Sequence, residues 1–262
     1  MDQRAHAPVL ARREHLAVAA ANPKLWEPGD GFDTLLVVTA HPDDVDFGAA
    51  GTIATMTAAG VHVVYCMVTS GDAGSPNPDD KPEDLAALRQ KEQRAAAAVV
   101  GVTDVRFLGY PDGAVVPSLE LRRDISRVIR DVQPDRVLCQ SPERNYDRIY
   151  ASHPDHLAAG EATLCAVYPD ARNHHAHKEL MTEGFLPHTV REVWLMATTP
   201  TLVVDTTEVF EKKVAALRCH ESQVGDGAQL EGLLRPWGEG TASAAGLPEG
   251  RLAEGFRVVN TA

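Results

Sequence analysis

The stretch Leu35-Leu36-Val37-Val38-Thr39-Ala40-His41-Pro42-Asp43-Asp44 decides the expected fold. Its first six residues are mostly apolar and β-branched, which is typical of a strand buried on both faces of a parallel sheet. The polar residues that follow stand where such a strand leads into a helix. Ligands bind beyond the carboxyl ends of the strands in sheets of this kind, so function is to be sought first at this connection.

Apolar strands and helices continue to alternate on the C-terminal side of this stretch. The pattern predicts strands at 61–68, 105–108 and 136–139 and helices at 48–59, 85–100, 119–132 and 155–167. Strands that are joined through helices pair in parallel, because such a crossover returns the chain to the same end of the sheet. We therefore expect an α/β fold: a Rossmann-like, doubly wound, mostly parallel sheet with helices on both faces, in a single domain with C-terminal additions.

The two ends of the chain lie outside this regular pattern. Residues 1–31 are predicted to form an N-terminal arm with a short helix around Arg12–Ala21, and residues 32–262 to form the domain. The domain divides into a core at 32–168, a histidine-rich insert at 169–188 and a C-terminal part at 189–262. The C-terminal part contains two strand candidates, a helix candidate and a long Gly- and Pro-rich loop, at 190–196, 202–204, 209–219 and 225–250.

Composition restricts the partners. The 262 residues carry a formal net charge of −12 with no run of Lys or Arg, so we expect no binding to nucleic acid or to an anionic membrane surface. No apolar segment reaches the roughly 18 residues that a membrane-spanning helix needs. The four cysteines stand far apart, which is typical of reduced thiols, and we therefore expect a cytoplasmic protein. A homo-oligomer is left open by these observations.

The tripeptide His-Pro-Asp occurs twice. It is found at His41-Pro42-Asp43 and at His153-Pro154-Asp155, each time at a predicted strand-to-helix connection. One copy would be explained by a helix start, where proline suits the first position and aspartate opposes the helix dipole. Two copies, each with a further acidic residue or histidine beside it, indicate a functional site instead.

The residues beside these tripeptides favour a metal ion over a nucleotide. No Gly-x-Gly-x-x-Gly follows the first strand, and carboxylates there would repel a phosphate, which disfavours a nucleotide-dependent oxidoreductase. His41 and Asp44 can converge across a tight turn, and His156 can join them from the loop after the fourth predicted strand. Two imidazoles and a carboxylate suit a catalytic zinc ion, because three protein ligands leave one position for water. Another divalent transition metal stays open.

Three neighbouring side chains remain for acid–base chemistry. Asp43 is adjacent to a predicted ligand but leaves the backbone in another direction, so it can accept a proton from water. His153 lies three residues before His156, and Asp155 could hold its ring as an imidazolium that protonates a leaving amine. We therefore expect Asp43, His153 and Asp155 to be catalytic residues in metal-assisted hydrolysis of an amide.

The two motifs together resemble the LmbE-like (PIG-L) family of zinc-dependent N-acetylglucosaminyl de-N-acetylases. Further likeness is found in Gly51–Ala54, Thr69–Gly74, Leu88–Arg89, Gly109–Gly113, Ala216–Gln223 and Ala253–Phe256. The resemblance extends over roughly 33–256 and implies the same zinc ligands, base and acid as above. It adds Arg89 and Asp112 as residues that bind the sugar or its acyl-bearing ring. We include Ser70, at the end of the second predicted strand, among the candidate substrate-binding residues.

Other residues have competing interpretations. A second metal site is one reading of four insert histidines, although solvated loop residues are the simpler one: His174, His175, His177 and His188. His220 follows an amphipathic helix and either packs there or lines the site. Tyr146 and Tyr150 either stack on a sugar ring or fill apolar space in a lid.

The leading hypothesis is a zinc-dependent hydrolase that removes the acetyl group from an N-acetylglucosamine-type amino sugar or its conjugate, a small-molecule substrate. The nearest alternative is an amidase of the same mechanism that acts on a longer acyl chain or a thiol–sugar conjugate. A non-catalytic metal- or sugar-binding protein is a third hypothesis. It is disfavoured because binding alone has no use for a spare acid beside the ligands.

Overall fold

The computed structural model describes residues 23–27, 31–146, 149–196 and 198–262. The strands are β1 (Lys24–Leu25), β2 (Thr34–Thr39), β3 (His62–Thr69), β4 (Asp104–Tyr110), β5 (Arg136–Gln140), β6 (Glu192–Met196), β7 (Leu202–Asp205) and β8 (Ala253–Asn260). The helices are α1 (Asp44–Ala58), α2 (Pro82–Val99), α3 (Leu119–Val132), α4 (Pro154–Cys165), α5 (Lys178–Thr182), α6 (Phe210–Arg218), α7 (Glu221–Val224) and α8 (Leu230–Ala244). Two 3₁₀ turns and one π turn complete them: Ile149–Ser152, Thr207–Val209 and Ala166–Asp170. No helix within these ranges is long and apolar enough to cross a membrane.

The strands form one eight-stranded sheet in the order β1-β7-β8-β6-β5-β2-β3-β4. In the described part of the chain, five strand pairings are parallel, and the two that involve β8 are antiparallel. The predicted mostly parallel α/β sheet is therefore confirmed. The predicted helix at Arg12–Ala21 lies outside the described residues, whereas Lys24–Leu25 of the expected N-terminal arm pairs with β7.

Strand β2 is buried on both faces, as its sequence predicts. Leu35 and Val37 pack into one core with residues of α1, α2 and α6, whereas Leu36 and Val38 pack into a second core with residues of α3 and α4. All four side chains are fully buried. Helices thus cover both faces of the sheet, and the loops at its carboxyl edge lie between the two helical layers.

The C-terminal part differs from the sequence prediction. The long loop expected at 225–250 is wrong, because α8 occupies Leu230–Ala244 despite Pro236 in its interior. Leu230 and Leu234 are buried against α6 and Leu252, and this burial outweighs the low helix propensity of the local Gly and Pro residues. Strand β8, which the apolar pattern did not predict, lies between β6 and β7.

The histidine-rich insert is ordered by a buried arginine. The Arg130 guanidinium donates hydrogen bonds to backbone carbonyls of the insert, at Asp170, Ala171, Asn173 and Ala176. His177 contacts the Asp170 carboxylate at 3.3 Å, and His188 contacts the carbonyl of Pro134 at 2.8 Å. Each trio of potential metal ligands found among the described residues includes His41 and none includes an insert histidine. The simpler interpretation as solvated loop residues holds for the exposed His174 and His175, whereas His177 and His188 are partly buried and make structural contacts.

Glycine 160 provides a test of the tight contact between α4 and β5. A Cβ atom at Gly160 would stand 2.4 Å from the backbone carbonyl oxygen of Gln140, and backbone cannot move aside as a flexible side chain can. We expect Gly160→Ala to lower the free energy of unfolding by about 1–3 kcal/mol through overpacking. Chemical denaturation measures this change.

The matched control is Gly240→Ala in α8, where a Cβ atom meets nothing within 4 Å. Alanine is a better helix former than glycine, so this variant should be unchanged or stabilised by up to about 1 kcal/mol. Equal effects of the two substitutions would contradict a close approach of α4 to β5.

Candidate active site

The first ligand-bearing loop follows β2 and contains a left-handed residue. Asp43 caps α1 with a φ of 87°, a region that non-glycine residues seldom adopt. Its carbonyl accepts hydrogen bonds from the N–H groups of Asp46 and Phe47. The Asp44 carboxylate turns back over the loop and accepts a hydrogen bond from the N–H of His41 at 2.7 Å. The turn thereby brings the side chains of His41 and Asp44 together.

The second loop leads into α4. His153 caps this helix, because its Nδ1 accepts a hydrogen bond from the N–H of Asp155 at 3.2 Å. Pro154 occupies the first helical position, which its fixed φ suits. His156 follows in the first turn. Since β5 is the parallel neighbour of β2, the two loops leave the same edge of the sheet, as the sequence predicted.

The three predicted metal ligands converge. Nδ1 of His41 lies 3.3 Å from Nε2 of His156. The two oxygens of Asp44 lie 3.4 Å from the first of these nitrogens and 3.0 Å from the second. Ligand atoms around a tetrahedral zinc ion, each about 2.0–2.1 Å from the metal, stand roughly 3.3 Å apart. The donor types of these three residues, called here the ligand triangle, suit a zinc-sized cation, and the spacings, measured to different oxygens of Asp44, are close to this value.

His153 lies beside the triangle on a more exposed side. Its ring centroid is 5.0 Å from that of His41 and 5.4 Å from that of His156. The ligand atoms of these three histidines lie within 4.8 Å of one another. Partial burial lowers the pKa of His153, and the positive charges of His41 and His156 lower it further. An accessible imidazole therefore faces the space next to the triangle.

Asp155 contacts a different histidine from the expected one. Its fully buried carboxylate lies 3.2 Å from Nε2 of His41 and accepts hydrogen bonds from the N–H groups of Gly113 and Val115. The hydrogen bond between Asp155 and His153 uses the backbone N–H of Asp155 and not its carboxylate. A carboxylate behind a metal-binding imidazole fixes the ring and its tautomer. The geometry thus assigns Asp155 to the ring of His41, and not to that of His153 as the sequence suggested.

Asp112 adds a second carboxylate to the same nitrogen. Its Oδ1 lies 3.0 Å from Nε2 of His41, and its Oδ2 accepts a hydrogen bond from the N–H of Ala73. Burial alone would lower the pKa of His41, but the carboxylates of Asp112 and Asp44 outweigh it and raise that pKa to about 11. The carboxylates of Asp44, Asp112 and Asp155 therefore give the surroundings of His41 a surplus of negative charge, which favours a bound cation.

Asp43 stands outside the ligand triangle. Burial raises the pKa of its carboxyl group to about 7, and the charge of Asp44 acts in the same direction against the lowering effect of Arg89. Its Oδ2 lies 3.3 Å from Nη2 of Arg89. A carboxyl group with a pKa near neutrality suits proton transfer.

Two predicted substrate-binding residues are occupied with protein contacts. The nearly buried Arg89 donates hydrogen bonds to the carbonyls of Pro42 and Gly71, at 2.8 and 3.1 Å. The Ser70 hydroxyl accepts a hydrogen bond from the side-chain amide of Gln90 at 2.8 Å. Arg89 thus holds the loop that carries Asp43. Of Arg89, Ser70 and Asp112, only Asp112 contacts a residue of the ligand triangle.

A cavity of about 920 Å³ adjoins Asp44 and His156. Its aromatic lining is Phe47, Tyr146, Tyr150, Phe210 and Trp237. The two tyrosines, for which the sequence left stacking and lid roles open, are strongly exposed here, at 83% and 92%. Trp237 lies on α8, the helix that the sequence did not predict, so its place in this wall could not be anticipated.

The cavity wall also contains a buried ion pair that the sequence analysis did not predict. Lys213 Nζ lies 2.5 Å from the Glu254 carboxylate and donates a hydrogen bond to the carbonyl of Phe47. Glu254 also accepts a hydrogen bond from the N–H of Thr52 in α1 at 2.7 Å. The motifs Gly51–Ala54 and Ala253–Phe256 meet here. Both resemble the family's motifs, and this resemblance was the sequence signal that could have pointed to the ion pair. The pair ties β8 and α6 to the helix that begins with Asp44.

Comparisons with known proteins agree with this geometry. The sequence profile of PIG-L, described as GlcNAc-PI de-N-acetylase, matches residues 36–167. Diacetylchitobiose deacetylase of Thermococcus kodakarensis is 32% identical over 90% of this chain and 86% of its own length. The 1D-myo-inositol 2-acetamido-2-deoxy-alpha-D-glucopyranoside deacetylase 1 of Saccharopolyspora erythraea is 30% identical over 87% of both chains. The solved N,N'-diacetylchitobiose deacetylase from Pyrococcus horikoshii has a TM-score of 0.82 at 30% identity, over 89% of this chain and 86% of that one.

The matched region coincides with the site. Residues 36–167 contain both His-Pro-Asp tripeptides and every predicted site residue. The relatives extend the similarity into the C-terminal part, where β8 and α8 build the cavity wall. The chain therefore belongs to the PIG-L family.

Proposed function

We propose that this protein is a metal-dependent hydrolase, with zinc as the metal, that removes the acetyl group from an N-acetylglucosamine-type amino sugar or its conjugate. One observation carries the proposal: the side chains of His41, Asp44 and His156 converge, and the carboxylate of the adjacent Asp43 contacts Arg89 instead of joining them. Hydrolysis needs such a base, whereas binding alone does not. The deacetylase names of the similar proteins support the same reaction on an N-acetyl sugar.

The carboxylates behind His41 prepare it to bind a metal. Asp112 and Asp155 both approach Nε2, so the proton resides there and Nδ1 offers its lone pair toward Asp44 and His156. A divalent cation at this position supplies Lewis acidity, which makes water more nucleophilic and polarises an amide carbonyl. Zinc suits two imidazoles and one carboxylate, and the surplus negative charge of the cluster favours any divalent ion.

Asp43 and His153 divide the proton transfers. Asp43 accepts the proton of the attacking water, since its carboxyl group has a pKa near 7 and lies outside the ligand triangle. His153, the accessible imidazole, passes a proton to the nitrogen that leaves as a free amine. The products are acetate and an amino sugar, so water supplies both the oxygen added to the acyl group and the proton added to the amine.

The cavity bears on the size of the substrate. The cavity volume of about 920 Å³ lies at the upper end of the range for small-molecule sites, roughly 300–1,000 Å³, and is larger than the volume that one sugar ring occupies. The exposed aromatic rings of Tyr150 and Trp237 offer flat apolar faces of the kind on which a sugar can stack. A conjugate or disaccharide therefore suits this site better than free N-acetylglucosamine.

Substitutions of the adjacent Asp43 and Asp44 distinguish the proposed base from the proposed metal ligand. Asp44→Asn should lower the metal content below about one ion per chain, with activity partly restored by excess zinc, because it removes a charged ligand. Asp43→Asn should keep the metal while kcat falls about 10²–10⁴-fold, because an amide cannot accept the proton. Elemental analysis and zinc titration of both variants measure this. If Asp43→Asn loses metal and regains activity with zinc, the two roles must be exchanged.

We expect Asp155 to support metal binding and not the proton donor His153. Asp155→Asn is expected to weaken zinc affinity about 10–100-fold, because it removes a carboxylate behind His41. At saturating zinc, Asp155→Asn should regain most of the wild-type kcat, whereas His153→Ala should stay impaired, since Asp155 acts through metal binding and His153 through proton transfer. A loss in kcat of Asp155→Asn that persists at saturating zinc and adds nothing to the loss of His153→Ala would contradict this and restore the expected pairing of Asp155 with His153.

The substrate class is tested by product release from zinc-loaded protein. We expect acetate and free amine from N-acetylglucosamine and, at higher kcat/KM, from di-N-acetylchitobiose, with Asp43→Asn as the inactive control. Turnover confined to long-chain N-acyl sugars or thiol–sugar conjugates would favour the alternative amidase. Sugar binding in calorimetry without any turnover would favour the non-catalytic binding protein.

A further inference from the structure

We infer that His220 is a positioning residue that holds Asp43 in place through Asp46 and Gln93. The inference rests on the proposed function, in which Asp43 is the base. His220 belongs to the motif Ala216–Gln223, which the sequence singled out for its likeness and which the reaction above does not use. None of these three supporting side chains is a metal ligand in the proposed site.

The left-handed conformation of Asp43 has to be imposed by its surroundings. A non-glycine residue with a φ of 87° is strained and persists only where neighbouring groups hold it. The N–H of Asp43 donates a hydrogen bond of 2.8 Å to Oε1 of Gln93. Gln93 lies one helical turn after Arg89 on α2, so one face of that helix grips both the peptide and the carboxylate of Asp43.

The side-chain amide of Gln93 is oriented by Asp46. Its Nε2 donates a hydrogen bond of 2.9 Å to Oδ2 of Asp46, and the Gln93 side chain has no exposed surface. If the amide turned over, its NH₂ group would face the N–H of Asp43 and its oxygen would face a carboxylate. The position of Oδ2 therefore decides whether Gln93 presents an acceptor to Asp43.

His220 holds that oxygen from the other side. Its Nε2 lies 2.9 Å from the same Oδ2 of Asp46, and both side chains are 0% exposed. Within the described residues, Oδ1 of Asp46 and Nδ1 of His220 have no hydrogen-bond partner. The Asp46 carboxylate is thus held through one oxygen by two donors. Without the imidazole, Gln93 alone would hold it, and the carboxylate could rotate with the amide.

The segment around His220 is itself fixed to α2. The N–H and hydroxyl of Ser222 donate hydrogen bonds to Glu92 at 2.8 and 2.6 Å. The side-chain amide of Gln223 donates a hydrogen bond to the carbonyl of Gly74. Since Glu92 adjoins Gln93, the segment approaches α2 at the position from which the Asp43 peptide is held. A fixed His220 can therefore set the orientation of the Asp46 carboxylate and, through it, of the Gln93 amide.

Two amide variants separate positioning from simple packing. Gln places its NH₂ group near the position of the His Nε2 atom, whereas the shorter Asn places it near Nδ1 and cannot reach Asp46. His220→Asn should lower kcat about 10–100-fold with KM changed less than about threefold, because a displaced base slows chemistry more than binding. His220→Gln should restore most of kcat. His188→Asn, which removes a histidine contact remote from the site, should retain wild-type kcat.

A second readout does not depend on catalysis. Amide hydrogen exchange by NMR should show the Asp43 N–H deprotected about tenfold or more in His220→Asn and protected in His220→Gln. In the background of Gln93→Met, which removes the acceptor directly, His220→Asn should change kcat and the exchange rate little further.

The outcomes distinguish this inference from the proposed function. If the wild type hydrolyses no N-acyl amino sugar, the proposed function fails, while the exchange experiment still tests the chain from His220 to Asp43. Equal losses in His220→Asn and His220→Gln would show that His220 only fills space. Unchanged kcat and unchanged Asp43 protection in a folded, metal-loaded His220→Asn protein would overturn the inference.

Discussion

Negative charge concentrated around one imidazole is the constraint on which the site depends. Asp44, Asp112 and Asp155 all lie within 3.4 Å of a ring nitrogen of His41, and the carboxylates of Asp112 and Asp44 raise the pKa of that histidine. Three carboxylates around one imidazole need a cation to balance their charge, and in the proposed enzyme a divalent ion supplies it. The backbone N–H groups of Gly113 and Val115 stabilise the deepest of these carboxylates.

The sheet assembles this charge from distant parts of the sequence. The two His-Pro-Asp loops meet because β2 and β5 are neighbours, and the loop after β4 reaches the same edge to contribute Asp112. The second layer of contacts comes from α2, whose Arg89 and Gln93 hold the Asp43 loop. The C-terminal part supplies a third layer, in which Lys213 and Glu254 tie the cavity wall to α1.

The sequence predicted the parallel core and the convergence of His41, Asp44 and His156 because both follow from local sequence patterns. A run of apolar residues such as 35–40 identifies a buried strand, and a repeated tripeptide identifies a site wherever parallel strands end together. The partner of Asp155 could not be predicted, since it depends on N–H groups 40 and 42 residues away. Helix α8 was missed because three glycines and one proline interrupt its sequence, whereas the burial of Leu230 and Leu234 is a tertiary effect.

The position of β8 has a consequence for the order in which the molecule can form during synthesis. Strands β1 and β7 join the rest of the sheet only through β8, which is made after all of the other strands in the described part of the chain. A ribosome-bound chain that ends before residue 253 contains strands β2 to β6 with their ligand loops, yet β1 and β7 can pair only with each other and have no strand that joins them to that sheet. The wall that contains Glu254 closes only afterwards, so the ligand loops can meet before the chamber for the substrate exists.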